Sequence, residues 1–239
     1  MPDTRTSRGP HPKDRDCFTA ETLPVLRAAV ADLSWLLTRG YSNKASLKIV
    51  GDRHSLRDRQ RKALQRCAAA DQNCARRREH QVTADQLRGQ TVAVDGYNVL
   101  LSIEAALCDG VLLLARDGTF RDLAAMSGHY RRVHATRPAV ELLADFFAET
   151  GTEHVVWYLD RPVSNSGRLK KLIDETVAGH KPPWQVELIT QADKTLAESP
   201  HVVATADSAI LDRCDRWINL ARLVIERSVP DAWILDLRG

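Results

Sequence analysis

Apolar and polar positions fall into two regimes that meet near residue 90. From Glu21 onward Leu23, Leu26, Val30, Leu33, Leu36 and Leu37 recur at three- and four-residue spacing, which predicts a helix stopped near Gly40. Ser42-Asn43 can cap a second helix enclosing Ala45, Leu47, Ile49 and Val50, with Gly51 as its end. A third is expected from Ser55 through Arg57, Arg59, Arg61, Lys62 and Arg66 to the alanines at 68–70, with Asp58 in the fourth position of a loose capping box. These elements predict a small basic helical domain over residues 19–88. Residues 1–18, rich in proline and charge, are expected to be disordered, and 79–90 reads as a linker or docking segment.

From residue 91 the pattern alternates between short apolar runs and helical periods. Strands are expected at Val92–Val94, Val111–Ala115, Val155–Leu159, Gln185–Thr190, His201–Thr205 and Trp217–Leu220. Helices are expected over 98–107, 139–149, 168–178 and 192–198, and onward from Ser208, while Arg116–Asp122 reads as a polar loop. Such alternation predicts an α/β domain over residues 89–239, built on a mostly parallel sheet with right-handed crossovers.

Charge adds a division that net charge conceals. The 239 residues carry a formal +3, yet residues 1–90 hold 18 basic against 10 acidic residues, and the remainder is net acidic. A basic helical unit beside an acidic one suggests a polyanion-binding module next to a carboxylate-bearing site. No apolar run approaches the roughly 20 residues that span a bilayer, and no membrane partner is expected. The five cysteines are scattered without a CxxC pair, and Cys67, Cys74 and His80 fit no standard zinc finger. Reduced thiols in the cytoplasm are the expectation.

The candidate chemistry lies at the strand ends. Val94-Asp95, Leu159-Asp160 and Thr205-Ala206-Asp207 each finish an apolar run with a carboxylate. In a parallel sheet these ends share one edge, the edge where open α/β sheets bind ligands. Glu104, nine residues beyond Asp95 on the following helix, can join them, as can either Asp117 or Asp122 from the polar loop. Clustered carboxylates repel unless a cation neutralises them, and an all-oxygen set suits Mg²⁺ or Mn²⁺. The segment from Ser164 to Gly167, with Ser164 and Ser166, can offer backbone N–H groups to a phosphate, beside Arg161 and Arg168. Arg39, Lys44 and Arg53 lead a list of basic residues suited to a phosphate backbone.

Val-Asp95-Gly-Tyr-Asn98, the strand-end Asp160 and Ala-Thr-Ala-Asp207-Ser208 resemble the PIN-like nuclease superfamily, including its NYN branch. The whole chain is similar to an uncharacterised prokaryotic family in which a basic helical domain, here with Leu-Leu-Thr-Arg-Gly-Tyr41 and Val-Gly-Asp-Arg53, precedes a PIN-like domain. The resemblance implies a three-layer PIN-like fold and a Mg²⁺- or Mn²⁺-dependent nuclease, RNA favoured over DNA, leaving a 5′-phosphate and a 3′-hydroxyl. It maps the metal-binding and catalytic acids onto Asp95, Glu104, Asp160 and Asp207, with Asp122 as a further ligand. Asn98, Arg121 and Ser208 join the residues facing nucleic acid, and a homodimer is a possible assembly. Two other readings stay open. One is a PIN-like binding or scaffold protein without activity; the other is a small-phosphoester hydrolase, disfavoured because the first strand lacks an Asp-x-Asp pair.

Overall fold

The computed structural model describes residues 8–123, 130 and 132–238. Five helices come first: α1 (Asp14–Cys17), α2 (Leu23–Thr38), α3 (Asn43–Arg53), α4 (Asp58–Cys67) and α5 (Asp71–His80). Leu26, Ala29, Val30 and Leu33 of α2 pack with Ala63, Leu64 and Cys67 of α4, as their spacing requires. The polar stretch before α2 is ordered from residue 8, contrary to expectation, because its side chains find buried partners. Arg59 clamps the buried Asp14 through both carboxylate oxygens, and Cys17 and Phe18 enter the core. Residues 1–7 lie outside the described residues.

Two boundaries differ from the sequence reading for local reasons. Gly51 does not end α3, because a Cβ there would lie 2.2 Å from the Arg61 guanidinium; the glycine makes room for that side chain. Ser55 takes a positive φ of 51°, so α4 starts at Asp58, with Gln60 accepting the Arg57 N–H. Helix α5 was not foreseen. Arg77 is its only fully buried side chain, so it leaves no apolar period to read.

After a 3₁₀ turn (Ala84–Leu87) the chain continues as β1 (Thr91–Asp95), α6 (Gly96–Leu107), β2 (Leu112–Leu114), β3 (Phe120–Asp122), α7 (Thr136–Thr150), β4 (His154–Asp160) and α8 (Ser166–Thr176). It ends with β5 (Trp184–Ile189), α9 (Ala192–Ala197), β6 (Val202–Ala204), α10 (Ser208–Leu211), β7 (Trp217–Ile218), α11 (Leu220–Ser228) and β8 (Ile234–Asp236). The α/β expectation holds. A five-stranded parallel sheet runs β5-β4-β1-β6-β7, with Asp95 beside Tyr158 of β4 and Val94 beside Ala204 of β6. The chain leaves β1 toward β4 and β5, then crosses back to β6 and β7. The switch in direction therefore falls between β1 and β6.

A second sheet, β3-β2-β8, was legible only at β2. Part of the expected polar loop is strand β3, antiparallel to β2, and β8 runs parallel to β2. This sheet joins the two units. Leu112, Leu114 and Phe120 face the α/β core with α6, whereas Val111, Leu113, Ala115 and Leu235 face α2 and α4. Helix α6, nearly all buried, lies between the two sheets, and α9 and α10 cover the far face of the large one. The helical region is therefore no separate globule: it shares a core with the small sheet. Among the described residues no helix is long and apolar enough to cross a membrane.

Candidate functional site

Helix α6 begins at Gly96, directly after β1, and so sharp an exit needs a residue without a side chain. A Cβ on Gly96 would lie 2.1 Å from Trp157 Nε1 and 2.5 Å from the Tyr158 carbonyl. This close approach sets Asp95 at the very end of the central strand. There Asp95 Oδ2 accepts the Thr205 hydroxyl at 2.7 Å. The same hydroxyl accepts the Asp207 N–H at 3.0 Å, and Asn98 Oδ1 accepts the Ala206 N–H at 2.8 Å. Two of these hydrogen bonds, Thr205 to Asp95 and Ala206 to Asn98, tie the β1–α6 junction to the loop after β6 at the switch point, and the third braces that loop internally.

Asp207 caps α10 through Oδ1 and the Ala209 N–H, and its side chain is exposed. Asp160 ends β4 and accepts the Ala192 N–H at 3.3 Å, which brings α9 and its Asp193 to the same edge. The carboxylates affect one another. Burial pushes the Asp95 carboxyl up to about 7, with the charges of Asp207 and Asp193 adding to the rise and the Thr205 hydrogen bond opposing it. Asp193 is raised as well, by partial burial and then by Asp207 and Asp160. Asp193 is the site acid that the strand-end pattern missed. It sits in the first turn of the short helix α9 and not at a strand end, so the apolar-run-then-acid pattern does not reach it.

Beside the switch point opens a cavity of about 440 Å³. Asn98, Ser102, Asp122, Ala206, Asp207 and Ser208 form its α/β side, and Lys62, Gln65 and Arg66 of α4 form the other. Asp122 is buried against it, within 3.4 Å of the Ser102 hydroxyl. The choice between the two loop acids is thereby resolved in geometry. The Asp117 side chain is buried away from the cavity lining and receives Arg77 at 2.5 Å and Arg121 at 2.6 Å.

Several expected site residues lie elsewhere. Glu104 is buried in a separate cluster: its Oε1 accepts Tyr130 and Thr136 hydroxyls at 2.5 Å each, and its Oε2 accepts Arg8 Nε at 3.0 Å. Burial raises its carboxyl, against those three donors. A helix position nine residues from Asp95 reads equally well toward the crevice or toward the core, and α6 has core on nearly every side. Arg121 borders the cavity, but its guanidinium is committed to the Ala206 and Arg66 carbonyls and to Asp117. Arg161 donates to the Leu188 carbonyl, the Ser166 N–H to Val163, and the Ser166 hydroxyl to the Arg161 carbonyl. With Ser164 and Arg168 they sit at the end of β4, off the cavity lining. Arg39 stacks on Trp35 at 3.6 Å, Arg53 faces Asp32, and Lys44 is exposed on α3.

Residues 84–223 match a family model described as a domain of unknown function, DUF5616, and make up more than half of the chain. The chain belongs to the DUF5616 family. Residues 25–80, from within α2 to the end of α5, match a second model, a protein of unknown function, DUF434. An uncharacterised protein of Methanocaldococcus jannaschii is 28% identical over 186 residues, covering 78% of this chain and 88% of the relative. No solved structure matches the chain. The cavity therefore lies between the DUF5616 domain and the DUF434 segment, with residues of both in its walls.

A divalent cation fits this donor set by its chemistry, since Asp95, Asp207 and Asp122 offer only oxygen. Among the described residues no three acidic, histidine or cysteine side chains are gathered into a ready ligand group. A cation here would rest on one or two carboxylates, completed by water, which is the ordinary manner of Mg²⁺.

Proposed function

We propose that this protein is a metal-dependent nuclease of PIN-like fold, acting on RNA in preference to DNA. The observation that carries the reading is the convergence of Asp95 and Asp207 at the switch point of a parallel sheet, with Asp160 and Asp193 along the same edge and a basic helix across the cavity. Isolated carboxylates that raise one another's proton affinity are costly to keep, and a functional cluster is the usual reason for keeping them.

In this reading Asp95 and Asp207 hold the cation, Asp193 and Asp160 add negative potential, and Thr205 and Asn98 fix the two strand ends. Mg²⁺ or Mn²⁺ bound there supplies an activated water and offsets charge building on the phosphodiester. Ser208 and Asn98 border the space where the phosphate would lie. Asp95 must be ionised to hold a cation, so apparent metal affinity is expected to rise with pH up to about 7 and level off above it.

The test is cleavage of labelled single-stranded RNA and DNA with Mn²⁺, Mg²⁺ or chelator, parent beside Asp95→Asn. Metal-dependent cutting lost in the variant supports the nuclease, and equal cutting by both proteins rejects the site. The sparse ligand group favours one second reading, a nucleic-acid-binding protein of the same fold without activity. Salt-sensitive binding with no cutting under any metal would select it.

A further inference from the structure

Helix α4 turns Ala63, Leu64 and Cys67 into the core, so its opposite face carries Lys62, Gln65 and Arg66. These positions, three and four apart, share one side of the helix. They do not form an open surface: they are one wall of the recess whose other wall bears Asp122, Asp207 and Ser208. One buried side chain bridges the two walls directly. Arg121, buried on β3, donates through one guanidinium nitrogen to the Arg66 carbonyl at the end of α4 and through another to the Ala206 carbonyl beside Asp207. Asp117 neutralises it at 2.6 Å and also receives Arg77 of α5, whose Nε reaches Asp212 at the end of α10. The helical unit is thus tied to the acid-bearing loop at fixed distance.

We propose that α4 is the phosphate-binding wall of this site, with Lys62 and Arg66 engaging neighbouring phosphates of an unpaired nucleic-acid strand. The inference rests on the nuclease reading for what happens over Asp95 and Asp207, but the binding it describes needs no cleavage. Two cations one helical turn apart, about 6 Å along the axis, suit consecutive phosphates. Carboxylates facing them repel a polyanion, so the basic wall is what holds the strand against that repulsion. Gln65, between the cations, supplies an amide for sugar or base edges. The recess has the volume of a small-ligand pocket, so a bent single strand enters it and a rigid duplex does not. Arg121 is a positioning residue here: it holds the wall and touches no substrate.

The experiment measures binding of a fluorescent 12-nucleotide single-stranded RNA by anisotropy, across salt and in chelator, so that no cleavage occurs. The combined Lys62→Ala and Arg66→Ala protein is expected to bind about tenfold more weakly. Its salt slope should fall by about 1.4, from about 0.7 per lost phosphate contact on a single strand. Gln65→Lys adds a cation to the same wall and is expected to tighten binding, which a folding defect cannot mimic. A control removes the same charge away from the recess, Lys48→Ala with Lys181→Ala, both exposed, and is expected to change binding less than twofold. Equal weakening by wall and control variants, or no effect of the wall changes, overturns the proposal, as does binding of a duplex of the same length as tightly as the single strand. Loss of binding at the wall with no cutting by the parent under any metal rejects the nuclease and retains the wall. Normal cutting dependent on Asp95 but indifferent to Lys62 and Arg66 does the reverse.

Discussion

Thr205 and Asp95, 110 residues apart in the chain, meet through a 2.7 Å hydrogen bond that joins the ends of β6 and β1. Because the Thr205 hydroxyl also accepts the Asp207 N–H, one side chain keys both acids to each other. Thr205→Val keeps the shape and removes both bonds. A hydrogen bond to a charged group contributes roughly 1.5–3 kcal/mol, so urea unfolding at pH 8 should show a loss of that size. Thr205→Ser should recover most of it. A valine variant as stable as the parent would show that the hydroxyl does not hold the strand ends.

The acidity of Asp95 predicts a pH dependence of stability. Its folded value is raised from 3.8 to about 7, mainly by burial. A raised value means that the folded protein binds this proton more tightly than the unfolded chain does. The group's contribution is therefore complete below 3.8 and lost as the pH rises through about 7. Melting temperatures in chelator should fall over that interval for the parent and fall less for Asp95→Asn. The two proteins should converge near pH 4. Parallel curves would disprove the shift.

Asp117 and Asp122, five residues apart, should respond in opposite ways. Removing Asp117 leaves Arg77 and Arg121 buried without their shared carboxylate, and breaking a buried pair costs about 3–5 kcal/mol. Asp117→Ala should therefore unfold at much lower denaturant. Asp122→Asn keeps volume at the cavity wall and should leave stability within about 1 kcal/mol, while lowering cleavage. Reversed results would exchange their roles.

Two glycines give a matched pair. Gly96→Ala drives a Cβ into the Tyr158 carbonyl and the Trp157 ring and should cost about 3 kcal/mol or more, since backbone blocks relief. Gly167, in the first turn of α8, has nothing within 4 Å of its missing Cβ. Gly167→Ala should stabilise by about 0.5–1 kcal/mol through a less flexible unfolded chain. Thermal unfolding of both variants decides the matter.

Legibility in the sequence followed the origin of each signal. Strands β1, β4 and β6 were readable because a strand buried on both faces must be apolar throughout, so Asp95, Asp160 and Asp207 stood out as endings. Strand β3 was not, because only Phe120 of Phe120-Arg121-Asp122 is apolar, while Arg121 is buried through its ion pair with Asp117 and Asp122 is a buried carboxylate. Helix α5 was hidden for the same reason, its one buried residue being Arg77. At the site, Asp95 and Asp207 converge as the alternation of elements required. Glu104 does not, since its position on α6 fixed distance along the helix and not direction around it. The side of the cavity formed by Lys62, Gln65 and Arg66 was visible only as part of a general basic density, because the pairing of distant segments is not written locally.

The small sheet has a consequence for the order of assembly. Strand β2 bonds to β8 across roughly 120 intervening positions, while α2 and α4 need both strands as their floor. Contacts of such long sequence separation form late, after their loop-closure entropy can be offset. During synthesis the early helices must therefore wait, partly uncovered, until residues 234–236 have left the ribosome. Only then does α4 come to stand opposite Asp207, so the cavity between them is among the last parts of the molecule to be completed.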